Sequence, residues 1–177
     1  MLNLSEPFST KRLNYRLLNK SDIKVIHRQF SDPDMCMYFS EPPCDLEEAM
    51  SIIEHYQNPE GKDYLRYGMF DKENETFIGT CGYHYWDKEQ KQVEIGYDIW
   101  KEYWKNGYMS EALPALLDIC FGYLNVNCTY ILTNPQNKAS IATVKKYGFT
   151  ECEPCRKPDV EPQLCMKLLK PEWIHNK

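Results

Sequence analysis

Nowhere in this 177-residue chain is there an uninterrupted apolar run of the roughly 20 residues that a bilayer-spanning helix needs. The longest apolar-rich stretch, Ala112 to Leu124, is broken by Asp118, and Met1 to Pro7 lack the basic patch and apolar run of a secretory signal. A cytoplasmic protein without a membrane partner is expected. Positive charge is also short, with 21 Lys and Arg against 26 Asp and Glu and a net charge of -5. A protein that holds nucleic acid through counterion release carries a basic surplus, so no nucleic-acid partner is expected. Glycine-serine linkers, low-complexity tracts and internal repeats are missing, and the length fits one domain over residues 1–177. Cysteine is plentiful, at eight, but a metal-site arrangement is not. Cys152 and Cys155 have C-x-x-C spacing, with Cys165 further on and no second pair of ligand spacing, so no metal is expected. A chain of this size buries enough surface to fold without cross-links, and the cysteines read as free, mostly buried thiols.

What is present is a change of hydrophobic period along the chain. Lys11 to Leu18 alternates as a first strand, and Ser21 and Asp22 offer a cap to a helix whose face is Ile23, Ile26 and Phe30. Ser31 to Cys44, with three prolines, reads as loop. Asp45 and Glu48 form a capping box for a helix with Leu46, Ala49, Ile52, Ile53 and Tyr56 on its apolar face, ending near Asn58-Pro59. Tyr64 to Phe70, Thr76 to Trp86 and Gln92 to Trp100 then read as three strands of an antiparallel meander with short polar turns. Gly107 to Leu124 is strongly helical in period, with Pro114 predicting a kink or irregular first turns. Thr129 to Thr133 reads as a strand, and Asn137 to Tyr147 as a helix closed by Gly148. Phe149 to Cys152 and Leu164 to Leu169 read as closing strands. The order implies a mixed α/β (α+β) domain with a largely antiparallel sheet and helices on its faces.

The segment VEIGYDIWKEYWKNGYMSEAL, Val93 to Leu113, carries the chemistry. Strand alternation puts Val93, Ile95, Tyr97 and Ile99 on one face and Glu94, Gly96, Asp98 and Trp100 on the other, so two acids flank a glycine. A carboxylate beside open backbone suits a general base, while a solvated edge strand gives the same pattern. Lys105-Asn106-Gly107 then leads into the long helix, whose first N–H groups and dipole favour an anion such as phosphate. Ser110, Lys101 and Lys105 stand beside that turn.

These residues resemble the acyl-CoA-binding core of the GNAT superfamily of N-acetyltransferases, in the branch of the ribosomal-protein N-terminal acetyltransferases. The matching residues are Glu94-Ile95-Gly96-Tyr97, Glu102-Tyr103-Trp104, Gly107-Tyr108 and Ser110-Glu111-Ala112-Leu113. The resemblance extends to TKRLNYRL at Thr10 to Leu17, SDPD at Ser31 to Asp34, FIGTCGY at Phe77 to Tyr83 and NKASIATVKKYGF at Asn137 to Phe149. Lys170 to Trp173 match the closing segment. It implies acetyl-CoA in a gap between two splayed central strands, Gln92 to Trp100 and Thr129 to Thr133. Its pyrophosphate would lie on amides of Lys105, Asn106, Gly107, Tyr108 and Met109 with Ser110 near, its pantetheine on backbone at Ile99 and Trp100, and Asn137 and Ser140 would touch it from the last helix. Two departures stand out: Lys105 replaces a glycine, and Met109 a small residue that keeps the turn open.

The implied activity is acetyl transfer to a primary amine, on a small molecule or a protein N-terminus, by a monomer or homodimer. Glu94 is the candidate base, acting directly or through water, and the amides near Asp98 to Trp100 are the candidate donors to the acyl oxygen. The family's tyrosine acid has no counterpart, because Val144 stands at its position, and Ser140 is the fallback. Tyr38, His84 and Trp86 are the candidate acceptor-pocket residues, and Lys138, Lys145 and Lys146 face either the adenosine phosphate or solvent. A CoA-binding sensor or scaffold with weak catalysis is the alternative reading.

Overall fold

The computed structural model describes residues 4–38, 43–156 and 163–175. Eight strands form one sheet, β1 (Phe8–Ser9), β2 (Leu13–Leu17), β3 (Leu65–Asp71), β4 (Phe77–Asp87), β5 (Gln92–Ile99), β6 (Cys128–Thr133), β7 (Thr150–Cys152) and β8 (Leu164–Leu169). Their spatial order is β1-β2-β3-β4-β5-β6-β8-β7. All neighbours are antiparallel except β5 and β6, which run parallel. The expected mixed α/β architecture is present, and the meander falls at β3 to β5. Each of its turns is tied by an aspartate whose carboxylate accepts from two amides ahead, Asp71 from Glu73 and Asn74 and Asp87 from Glu89 and Gln90.

Helices cover both faces. On one, α4 (Tyr108–Asp118), α5 (Lys138–Lys145) and α6 (Lys170–His175) bury Leu113, Leu116, Leu117, Val144 and Trp173 against Tyr67, Tyr83, Val93 and Ile95 of the sheet. On the other, α1 (Ile23–Ser31) and α3 (Leu46–Tyr56) enclose a smaller core of Leu18, Ile26, Cys44, Ala49 and Ile53. The Asp45 capping box forms as the sequence predicts, with both reciprocal bonds at 2.9 Å.

Several local expectations are corrected. Asn19, not Ser21 or Asp22, caps the turn before α1. The Asp22 carboxylate is instead held by Arg16 at 2.7 and 2.8 Å and by the Asn19 amide. The segment read as loop after Ser31 contains a short helix, α2 (Pro33–Cys36), because Asp32 caps it and Pro33 sits where a missing N–H costs nothing. Irregularity in the long helix comes at its end rather than its start: Ile119–Tyr123 is a π-helical turn closed by Leu124 N–H on the Ile119 carbonyl. Pro114 is tolerated because the carbonyl its absent N–H would have met, that of Ser110, accepts the Tyr147 hydroxyl. Gly148, at φ +90°, ends the helical stretch of α5 as expected. No helix among the described residues is long and apolar enough to cross a membrane.

Candidate active site

The centre of the sheet opens where β5 meets β6. The two strands pair only at Gln92–Cys128, Val93–Thr129 and Glu94–Tyr130, after which both continue without partnering each other. A wedge of unpaired backbone results, with Glu94 at its apex. Backbone groups alternate sides along a strand. The Trp100 N–H turns toward β4 and bonds the Ile78 carbonyl at 2.8 Å, which removes it from the expected donors to an acyl oxygen. The Ile99 carbonyl faces the other way and accepts the Trp104 indole N–H at 2.6 Å. Trp104 thus holds a backbone group that the resemblance reserves for the pantetheine arm. The Trp100 ring is buried under the Arg28 guanidinium, 4.1 Å from its centroid.

At the outer end of the wedge stands the turn before α4. Gly107 is its N-cap at φ +74° and supplies no side-chain cap, so the first-turn amides of Tyr108, Met109 and Ser110 meet no capping oxygen from it. Lys105 also takes a left-handed conformation, φ +62°, where a glycine would be unstrained. The Met109 side chain is buried in the α4 core and so points away from the turn. A phosphate therefore fits: amides and a helix dipole are in place, and neither departure from the family pattern fills the turn.

A clamp around this turn escaped the sequence reading. Glu111, one helical turn into α4, accepts from the Arg12 amide and Arg12 Nε, each at 2.7 Å, and from the Thr10 hydroxyl. Burial alone would raise its pKa, but those donors hold it below the usual carboxylate range. Arg12 in turn donates to the Asn106 carbonyl at 3.0 Å and lies over the Tyr108 ring. The signal was present in Thr10, Arg12 and Glu111 of the matched motifs, but no spacing rule joins residues so far apart in sequence. Lys101, expected to lend charge to the turn, is instead paired with Asp32 and Asp34 at 2.8 and 2.9 Å.

The two acids of β5 have different surroundings. Asp98 is buried, accepts from Arg66 at 3.1 Å and from Thr80 at 2.9 Å, and has its pKa raised by burial against the pull of Arg66 and Thr80. It is part of the scaffold. Glu94 sits at the apex of the wedge with Arg156 Nε 2.7 Å from Oε2, and Arg156 is stacked on the Tyr85 ring. His84 lies directly opposite Glu94 on β4, between the Arg66 guanidinium at 3.3 Å and the Tyr56 hydroxyl at 3.4 Å. Burial, then the charges of Arg66, His55 and Arg156, push its pKa down to about 3, so its imidazole is neutral near pH 7.

The other sequence-predicted residues divide. Ser140 comes to the wedge: its hydroxyl is 3.0 Å from that of Tyr97, whose pKa burial raises to about 12. Asn137 is the N-cap of α5, accepting the Ser140 amide at 3.1 Å, so it orders the helix that carries Ser140. Trp86 packs edge-on against Tyr83, on the α4 side of the sheet and away from Glu94. Tyr38 is half-buried just after α2. Lys145 pairs with Glu151, and Lys138 donates to the Pro135 carbonyl.

Comparison with known proteins gives the same architecture. A relative from Bacillus licheniformis, "Uncharacterized N-acetyltransferase p20", is 33% identical over 147 residues, covering 81% of this chain and 82% of its own length. A solved GNAT-family acetyltransferase from Bacillus anthracis superposes with a TM-score of 0.80 at 20% identity, covering 94% of this chain and 99% of its own. The spermidine N-acetyltransferase of Vibrio cholerae, solved with CoA and spermine, superposes with a TM-score of 0.79 at 18% identity, covering 92% of this chain and 98% of its own. Residues 12–150 match the family model described as "Acetyltransferase (GNAT) domain". With the wedge, the uncapped α4 turn and these matches together, the chain belongs to the GNAT family and is an acetyltransferase.

Proposed function

We propose that this enzyme transfers an acetyl group from acetyl-CoA to a primary amine of ordinary or low basicity, a protein or peptide N-terminus before a lysine-like amine. The observation that carries the choice is the Arg156–Glu94 ion pair at the apex of the wedge. The Arg156 guanidinium already occupies this carboxylate, so taking a proton from the acceptor competes with an ion pair. Deprotonating an α-amine of pKa near 8 at pH 7 costs about 1.4 kcal/mol, whereas an amine near 10.4 costs about 4.6 kcal/mol. A weak base suffices for the first and fails for the second.

When bound, acetyl-CoA supplies an acyl group already activated as a thioester. The α4 turn, with amides of Lys105 to Met109 and the Ser110 hydroxyl, holds the pyrophosphate, and the Arg12–Glu111 clamp keeps that turn in shape. Glu94 takes the amine proton, directly or through water, as the C–N bond forms and the C–S bond breaks. The Ser140 hydroxyl, backed by Tyr97, returns a proton toward the departing sulfur. A thiol of pKa near 8.5 leaves readily, so this contribution is small. His84, neutral, lines the acceptor side next to Glu94 without carrying charge.

The test is the pH profile of Glu94→Gln on an α-amine peptide and on a lysine-like amine. The α-amine should be the better wild-type substrate. The variant should lose about 10²-fold in kcat/KM near neutral pH. That deficit should shrink above the amine pKa, where the acceptor deprotonates itself. A deficit that is constant with pH would remove Glu94 as the base.

A further inference from the structure

The C-x-x-C pair that lacked a partner in the sequence gains one in the fold. Antiparallel pairing of β7 with β8 sets Cys152 directly opposite Cys165, with their Sγ atoms 3.3 Å apart. That is well beyond the roughly 2.05 Å of a disulfide, and both are free thiols. Cys155, just past the end of β7, closes the group: the three Sγ atoms lie within 4.8 Å of one another. Three sulfurs bound at about 2.3 Å around one tetrahedral cation would be separated by roughly 3.8 Å, so only small shifts convert this group into a ligand set. Burial pushes the Cys155 and Cys165 thiols up, so they stay protonated until an ion displaces the proton. Cys152 and Cys155 are half-buried, which leaves a route for an ion.

The position matters to the active site. Residues directly opposite in a sheet share a face, so Glu94, Tyr130 and Lys167 lie on one side, and Leu132, Cys165 and Cys152, one alternation further, lie on the same side. Arg156 follows Cys155 immediately and holds Glu94. Whatever fixes Cys155 also steadies the guanidinium that pairs with Glu94.

We propose that Cys152, Cys155 and Cys165 form a three-thiolate site for a zinc ion that anchors the start of the β7–β8 connection and with it Arg156. An all-sulfur donor set selects soft or borderline cations such as zinc over magnesium or calcium. Each ligating thiol gives its proton to solvent as its sulfur binds, and the fourth position is left to water. The site itself does not depend on the acetyl-transfer reading.

The experiment uses the full chain without an affinity tag, reduced and stripped of metal, titrated anaerobically with zinc against a chromogenic chelator. One zinc should bind per chain with release of protons, and cobalt in its place should give thiolate-to-metal charge-transfer absorption. Hydrogen exchange at residues 153–156 should slow with zinc. Cys155→Ser should weaken binding at least tenfold, while Cys36→Ser, in α2, should not change it. Failure of the wild-type protein to compete for zinc would overturn the proposal even if the variant did not fold. So would undiminished binding by Cys155→Ser, or recovery of Cys152 and Cys165 as a disulfide that excludes metal.

Discussion

Lys105 shows how one residue reads differently in the sequence and in the fold. It stands where the resembling family has a glycine, and the cost of the replacement is confined to a left-handed backbone. Lys105→Gly should therefore relieve about 1 kcal/mol of conformational strain. Thermal unfolding should rise by roughly 2–4 °C for a chain of this size, with donor affinity kept. A tenfold loss of affinity would instead assign the Lys105 ammonium to the phosphates. His84 makes a pH-dependent statement. Its folded pKa of about 3 lies below the ordinary 6.5, so between those values the unfolded chain binds the extra proton. Stability is complete above pH 6.5 and falls as pH drops toward 3, by at most about 1.4 kcal/mol per unit. Denaturation midpoints across that range should decline less steeply in His84→Gln, and parallel slopes would show that other groups govern acid stability.

Among the elements, α4 and α5 lie on one face of the sheet and are tied together through a defect. Pro114 cannot donate to the Ser110 carbonyl, and the Tyr147 hydroxyl, just past the end of α5, donates to that carbonyl instead. Tyr147→Phe leaves the carbonyl unpaired and should cost about 1 kcal/mol, read as a lower unfolding midpoint together with weaker CoA binding. A stability loss with unchanged CoA affinity would limit the bond to packing. Strand and helix positions were legible in the sequence because apolar periods of two and 3.6 are local. The Asp45 box and Gly148 were legible for the same reason. The π-helical turn at Ile119 to Tyr123 was not, since an i to i−5 bond leaves no distinct pattern. Nor were the Arg12–Glu111 clamp, the Arg156 partner of Glu94 or the contact of Cys165 with Cys152. Each depends on strands that meet only after the sheet has assembled.

At the scale of the whole molecule, the proposed site rests on the place where the pairing of two central strands stops. Pairing between β5 and β6 stops after Glu94 and Tyr130, and β5 leads on to a helix whose N-cap supplies no side-chain bond. Two hydrophobic layers hold this opening: the larger core carries α4, which follows the turn, and the smaller carries α1 and α3 on the opposite face. The most direct test of the account is thermal unfolding with saturating acetyl-CoA, CoA or an adenine nucleotide. A ligand at 100 times its Kd adds about 2.7 kcal/mol to the folded state, or roughly 5–10 °C here. Acetyl-CoA and CoA should each produce that shift and the nucleotide should not. No shift with either acetyl-CoA or CoA would mean that the wedge between β5 and β6 does not hold the donor.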